Sequence, residues 1–168
     1  ISFSQNMTLD NYKEAKDKLA QIYLNKPITF YCGCSFNMKS PDWNSCGYKP
    51  KKNIKRASRI EWEHIVPASE FGRSFTSWTN GHPKCITSQG KHFKGRRCTQ
   101  KVSREFRLMQ SDLYNLQPSV GEINEVRSNY SFGSILGEER EFGSCDVDVK
   151  NKTFEPPSNR LEDIARTY

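Results

Sequence analysis

Residues 60–68 read Ile60-Glu61-Trp62-Glu63-His64-Ile65-Val66-Pro67-Ala68. β-branched and aromatic residues alternate with polar ones, and Pro67 cannot donate a ladder hydrogen bond. The stretch therefore predicts a strand over 60–66 that stops at the proline. A strand built only to pack has no use for two carboxylates and an imidazole. Adjacent strand residues point to opposite faces, so Glu61 and Glu63 share one face. One of Glu63 and His64 then faces inward, unless both lie at a strand end where the backbone turns. Ile60, Trp62, Ile65 and Val66 are the packing residues on this reading. Glu63 and His64 are held for chemistry, and Glu61 has a supporting role.

Outward from this strand, residues 8–24 place Leu9, Tyr12, Ala15, Leu19, Ile22 and Tyr23 at helical spacing. That pattern predicts an amphipathic packing helix with no functional role. Residues 28–36 (ITFYCGCSF) predict a short β segment, and 37–58 are polar. The basic run at 49–59 (KPKKNIKRASR) fits either a solvated loop or a flank that contacts phosphate. Residues 72–102 show little periodicity and predict a long loop, ordered rather than disordered because it holds two cysteines. A helix is expected over 103–116, with Phe106, Met109, Leu113 and Leu116 on one stripe. Another is expected over 119–129, with Ser119 as N-cap and Glu122 three residues on, the capping-box spacing. Val120, Ile123, Asn124 and Arg127 share a face of that second helix. A strand around 145–149 and a turn at 155–160 (EPPSNR) follow. The closing LEDIARTY (161–168) opens a helical pattern with nothing after it, so a C-terminal helical part is expected to be missing. The mixture is α+β, with helices around a small sheet in a single domain over 1–168 and no repeat or linker.

Bulk composition narrows the class. With 168 residues, 35% hydrophobic and 12% aromatic, the chain can bury a sizeable core and is not a disordered protein. No apolar run is long enough to span a bilayer, so no membrane role is expected. No signal peptide opens the sequence, so an exported protein is met here in processed form. Net charge is +7, from 26 Lys and Arg against 19 Asp and Glu, which favours an anionic partner. Six cysteines at 32, 34, 46, 85, 98 and 145 lack the paired spacing of zinc knuckles. They predict disulfides, and hence a secreted or periplasmic protein that reduction inactivates. Six cysteines allow about 15 pairings, and only Cys85 with Cys98, across a polar loop, is singled out.

Phosphodiester hydrolysis needs a base for water, a cation against the charge of the phosphate and leaving oxygen, and a further positive group for the transition state. Histidine has the intrinsic pKa for the first role, and arginine has the planar fork for the last. Of three histidines, His82 and His92 lie in loop sequence and are expected to be exposed. His64 is the one a fold can hold rigidly. Zincin chemistry is excluded because no second histidine follows at the HExxH spacing.

The segments RASRIEWEHIVPASEFG (56–72), KGRRC (94–98) and DLYNLQPSVGEINEVRSN (112–129) resemble the bacterial endonuclease I family, and FYCGC and DIARTY fit it too. The likeness runs in order from about residue 28 to 168. It implies a ββα-metal (His-Me finger) core, in which a β-hairpin presents the histidine and a helix presents a metal-binding Asn. It implies that His64 is the general base and that Glu63 and Asn124 ligate Mg²⁺, with Mn²⁺ or Ca²⁺ as alternatives. Arg96, in preference to Arg97, is the implied phosphate contact. The implied activity is cleavage of DNA, and of RNA in many members, with little sequence preference and 5′-phosphate ends, by a monomer. Three positions depart from the family: Gln110 stands where an acid is expected, Glu125 where Gly follows the Asn, and Ser69 where Trp is commoner. The alternative they keep open is a basic, disulfide-stapled nucleic-acid-binding protein with impaired catalysis.

Overall fold

The computed structural model describes residues 6–137 and 139–168 of the domain expected over 1–168. Its helices are α1 (Tyr12–Ile22), α2 (Ile54–Ala57), α3 (Ala68–Gly72), α4 (Thr76–Thr79), α5 (Arg96–Val102), α6 (Arg104–Gln110), α7 (Gly121–Arg127) and α8 (Leu161–Thr167). The strands are β1 (Ile60–His64), β2 (Leu116–Val120), β3 (Ser131–Phe132), β4 (Asp148–Lys150) and β5 (Thr153–Glu155). The architecture is α+β, as the sequence predicts.

β1 runs antiparallel to β2, with Ile60 opposite Val120 and His64 opposite Leu116. α7 follows β2 directly, so two strands and a helix form one unit. The long connection between the strands carries α3 to α6. These helices gather Phe71, Phe75 and Trp78 around Phe106 with ring centroids 5.5–5.8 Å apart. Gly72 has to be glycine there, because a Cβ would stand 2.4 Å from the Trp78 ring. A second small sheet, in the order β3-β5-β4, joins a parallel and an antiparallel pair and packs Phe154 into the main core.

α1 begins at the N-cap Asn11, whose side chain accepts from the Lys13 and Glu14 N–H groups. Leu9, Ala15 and Leu19 bury against Leu116 and Trp62. Ile22, expected on the packing stripe, is instead 61% exposed. It closes α1 with helical dihedrals, and the chain tightens into a 3₁₀ segment only after it, at Tyr23–Asn25.

The cysteines pair as Cys32–Cys145, Cys34–Cys46 and Cys85–Cys98. The last is the pair singled out by sequence.

Several local expectations fail for physical reasons. Residues 28–36 form a tight turn, in which the Thr29 N–H donates to Cys34 O and the Gly33 N–H to Thr29 O, and the β character expected there is confined to isolated bridges of Ile28 with Ser35 and Phe36 with Pro41. The helix expected over 103–116 stops at Gln110, and Leu116 turns out to open β2. β2 is then paired to β1 in spite of Pro118 at its centre. Ser119 lies in β2 and caps nothing, and α7 starts only at Gly121. Within the expected loop 72–102, α4 and α5 are helical.

Candidate active site

β1 ends where the chemistry is expected. Pairing stops at His64, and the Asn115 side chain then takes over the next residues. Its Oδ1 accepts from the Val66 N–H (2.7 Å) and its Nδ2 donates to Val66 O (3.0 Å). The backbone turns there, which lets Glu63 and His64, on opposite faces of a strand, line one cleft of about 970 Å³. Arg96 from α5 and Asn124 from α7 line the same cleft. The four residues singled out by sequence thus converge from three elements of distant sequence. Arg97 does not line it, and its guanidinium lies 3.8 Å over the Phe93 ring. His82 and His92 are exposed, as expected.

His64 is 8% exposed. Its Nε2 lies 2.9 Å from the backbone carbonyl of Gln110. A carbonyl only accepts, so Nε2 carries the proton and the neutral ring keeps its lone pair on Nδ1. Burial holds the imidazole pKa down to about 4, and the Arg96 guanidinium pushes the same way. The ring stacks on Tyr12 of α1 (centroids 5.5 Å apart, 21° between planes), which fixes its orientation from the other side.

Glu63 is 3% exposed and Arg127 is fully buried. The Arg127 Nε lies 3.4 Å from Glu63 Oε1, and the Tyr31 hydroxyl donates to the same oxygen at 3.4 Å. Burial pushes the Glu63 carboxyl up to about 8, against the opposing pull of Arg127. Arg127 is itself anchored by donation to Ile65 O (2.7 Å) and Ser128 O (3.0 Å). It therefore braces the end of β1 against α7.

On the α7 side, the Asn124 Nδ2 donates to Glu61 Oε2 at 2.8 Å. Glu61 also accepts from Arg56 and Arg59 of the basic run, so those two arginines are engaged by a carboxylate. Glu125 holds the run further, accepting from Asn53 Nδ2 (2.8 Å) and pairing with Arg56 (3.3 Å). Glu122, read from sequence as half of a capping box, reaches the same loop. It accepts from the Tyr48 hydroxyl and from the N–H groups of Lys51 (3.1 Å), Lys52 (2.6 Å) and Asn53 (2.7 Å). Burial raises its carboxyl, but these donors outweigh burial and hold its pKa below the ordinary value.

Across the cleft, the Arg96 Nε donates to the Gln110 Oε1 at 3.4 Å, and the guanidinium stands 5.2 Å over the Tyr12 ring. The donor set facing the cleft fits a hard cation that keeps most of its waters. Glu63 offers a carboxyl whose Oε2 takes no part in the Tyr31 and Arg127 contacts and which a cation would ligate with loss of the proton that burial favours, and Asn124 offers an amide oxygen. Among the described residues no cluster of three or more His, Cys, Asp or Glu could form a closed cage for a metal.

Sequence reasoning missed Tyr12, Tyr31, Arg127 and the Gln110 carbonyl. Arg127 carried a faint signal, as a charged residue on the packing face of α7. Tyr12 read as an ordinary packing residue, Tyr31 as part of a short β segment, and a backbone carbonyl leaves no trace in a sequence.

A family model described as Endonuclease I matches residues 1–168. An Endonuclease-1 of Buchnera aphidicola subsp. Acyrthosiphon pisum (strain APS) is 39% identical over 174 residues, covering 99% of this chain and 64% of the relative. An Extracellular deoxyribonuclease of Aeromonas hydrophila is 40% identical over 95% of this chain and 66% of its own length. A Periplasmic deoxyribonuclease of the same organism is 39% identical over 98% of this chain and 66% of its own length. The chain thus spans 64–66% of the length of these curated relatives. With the family match running from the first residue to the last, the chain belongs to the endonuclease I family.

Proposed function

We propose that this chain carries the catalytic site of a divalent-metal-dependent endonuclease that hydrolyses DNA with little sequence preference. Mg²⁺ is the cation the oxygen donors favour, and RNA, with the same phosphodiester, is a second substrate. The observation that carries the reading is the pinned imidazole. Its Nε2–H is committed to the Gln110 carbonyl, so Nδ1 is the free base beside Glu63, in a cleft shared with Asn124 and Arg96.

His64 Nδ1 takes a proton from the attacking water, the water oxygen forms a bond to phosphorus, and the P–O3′ bond breaks. The leaving 3′-oxygen takes a proton from solvent, and the phosphate stays on the 5′ side. Arg96 donates to a non-bridging phosphate oxygen as negative charge builds there. Glu63 and Asn124 hold the cation. When bound, it supplies positive charge against the phosphate and leaving oxygen.

Both siting and partner choice fit export. All six cysteines are paired, and similar proteins are named extracellular and periplasmic deoxyribonucleases. No helix among the described residues is long and apolar enough to cross a membrane. A secreted or periplasmic protein acting on DNA is the reading these facts support. The departures at 110 and 125 leave the His64 contact in place. The carbonyl of residue 110, not its side chain, holds His64, and Glu125 is engaged by Asn53 and Arg56.

The test is nicking of supercoiled plasmid under single-turnover conditions. The parent chain should nick with Mg²⁺ and stop on addition of a chelator. His64→Ala should bind DNA as before but cleave about 1,000-fold more slowly, within the range for loss of a general base. Parent-like cleavage by His64→Ala removes the base assignment, and a gel shift without nicking by the parent supports the binder instead.

A further inference from the structure

Asn124 sits on α7 with an amide whose two ends are nearly isosteric, one a donor and one an acceptor. Only the oxygen end can ligate a cation, so something must choose which end faces the cleft. Glu61 meets that need. Its carboxylate, held by the guanidiniums of Arg56 and Arg59, can only accept, and the amide group 2.8 Å from its Oε2 is therefore the Asn124 Nδ2. The acceptor end of the amide is left pointing away from Glu61.

The surroundings are shaped around this carboxylate. Arg56 donates from both Nε and Nη2, Arg59 donates from Nε at 2.8 Å, and the Arg59 Nη2 lies 2.6 Å from Oε1 as an ion pair. The first residue of α7 is Gly121, where a Cβ would stand 3.0 Å from Glu61 Oε1 and 2.5 Å from Arg56 O. Any side chain at 121 would push Glu61 or the Arg56 backbone aside. The helix that carries Asn124 thus opens with the one residue that lets Glu61 reach it.

We propose that Glu61 is a positioning residue for metal binding: it selects the Asn124 amide orientation that presents the oxygen to the cation. The arginines of the basic run, Arg56 and Arg59, serve this function by fixing Glu61. The inference rests on reading Asn124 as a metal ligand, and it gives the α2 arginine a role other than phosphate contact.

The test uses Mn²⁺ titration of the disulfide-bonded chain followed by electron paramagnetic resonance of the free ion. Glu61→Ala should weaken Mn²⁺ binding about tenfold, the scale typical of a partner that orients a ligand. The Glu61→Ala/Asn124→Ala double variant should bind no more weakly than Asn124→Ala alone. Glu61→Gln keeps an acceptor oxygen and should recover most of the affinity, which a merely structural role would not predict. Independently, the Asn124 side-chain amide protons of the metal-free parent should give separate, downfield, exchange-protected signals. Parental affinity in Glu61→Ala while Asn124→Ala is weakened overturns the role of Glu61 alone, as do additive losses in the double variant or solvent-like amide signals. Parental affinity in Asn124→Ala overturns the ligand reading, and the inference falls with it.

Discussion

The two walls of the cleft carry similar residues and treat charge in opposite ways. On the wall built from α2, β1 and α7, Arg56 and Arg59 are committed to Glu61, Arg56 is shared with Glu125, and Arg127 stands against Glu63. On the wall built from α1, α5 and α6, Arg96 has a neutral amide oxygen and an aromatic face as its partners. An arginine already held by a carboxylate has little left to offer a phosphate. One held by an amide keeps its full charge for an incoming anion. Arginine count therefore says little about where DNA is gripped. The basic run at 49–59, the most obvious anionic-partner signal in the sequence, turns out to be partly neutralised scaffolding, while Arg96, beside the proposed base, pairs with no carboxylate among the described residues.

The sharpest way to break this contrast is to remove Arg96. Arg96→Ala should lower single-turnover cleavage about 100-fold, the typical cost of one donor aimed at developing charge. It should also reduce the slope of log Kd against log salt by about one. Arg97→Ala, outside the cleft and stacked on Phe93, should stay within about threefold of the parent in cleavage. Equal losses in the two variants would dissolve the distinction between the neighbouring arginines.

A second pair of variants separates the walls mechanically. The Cys85–Cys98 bridge closes a short loop onto α5, so Cys85→Ser/Cys98→Ser should cost about 3 kcal/mol in urea unfolding. In the folded variant cleavage should suffer while Mn²⁺ affinity is retained. Glu122→Ala strips the buried acceptor from three backbone N–H groups and the Tyr48 hydroxyl, and should cost a similar ~3 kcal/mol. It loosens the other wall, so Mn²⁺ affinity should fall in that variant. The opposite pattern would mean that the walls are not mechanically separate.

The smallest effect is a titration. In the metal-free chain the His64 ring signals should titrate near pH 4, well below the ordinary 6.5. The unfolded chain binds that proton first, so this group withdraws stability as the pH falls from about 6.5 toward 4, and the ring is neutral at pH 7. A midpoint near 6.5 by proton NMR would show that Arg96 and burial do not act on His64 as described.

What could be read from the sequence follows from how local each determinant is. β1 was legible because its alternation, its polar pair and its terminating proline all lie within nine residues. β2 was not, because Leu116 satisfies the helical period of the preceding run as well as its own strand. Pro118 argued further against a paired strand, and only β1 lying alongside overrides both signals. The capping-box pattern at Ser119 and Glu122 failed for a similar reason: a distant loop supplies better donors for the carboxylate than the helix end does. Glu63 and His64 stood out in the strand itself, whereas their roles and the choice of Arg96 and Asn124 came through family resemblance. Their supports, Tyr12, Tyr31, Arg127 and the Gln110 carbonyl, depend on contacts between residues as much as 84 apart in numbering, as with Tyr12 and Arg96.

The separation of β1 from β2 by the segment 65–115 also governs when the site can exist. A chain emerging from the ribosome makes the His64 strand early, yet has nothing to pair it with until residues 116–120 appear. The helix bearing Asn124 and Arg127 comes later still. Closing so long a loop is slow relative to local helix formation, so the cleft is among the last features to assemble. A nascent or prematurely ended chain that stops before residue 116 lacks both the partner strand and the metal-side helix, and one that stops before Asn124 still lacks a proposed metal ligand. The order of elements along the chain thus delays assembly of the cleft until residues 116–127 are available to fold onto β1.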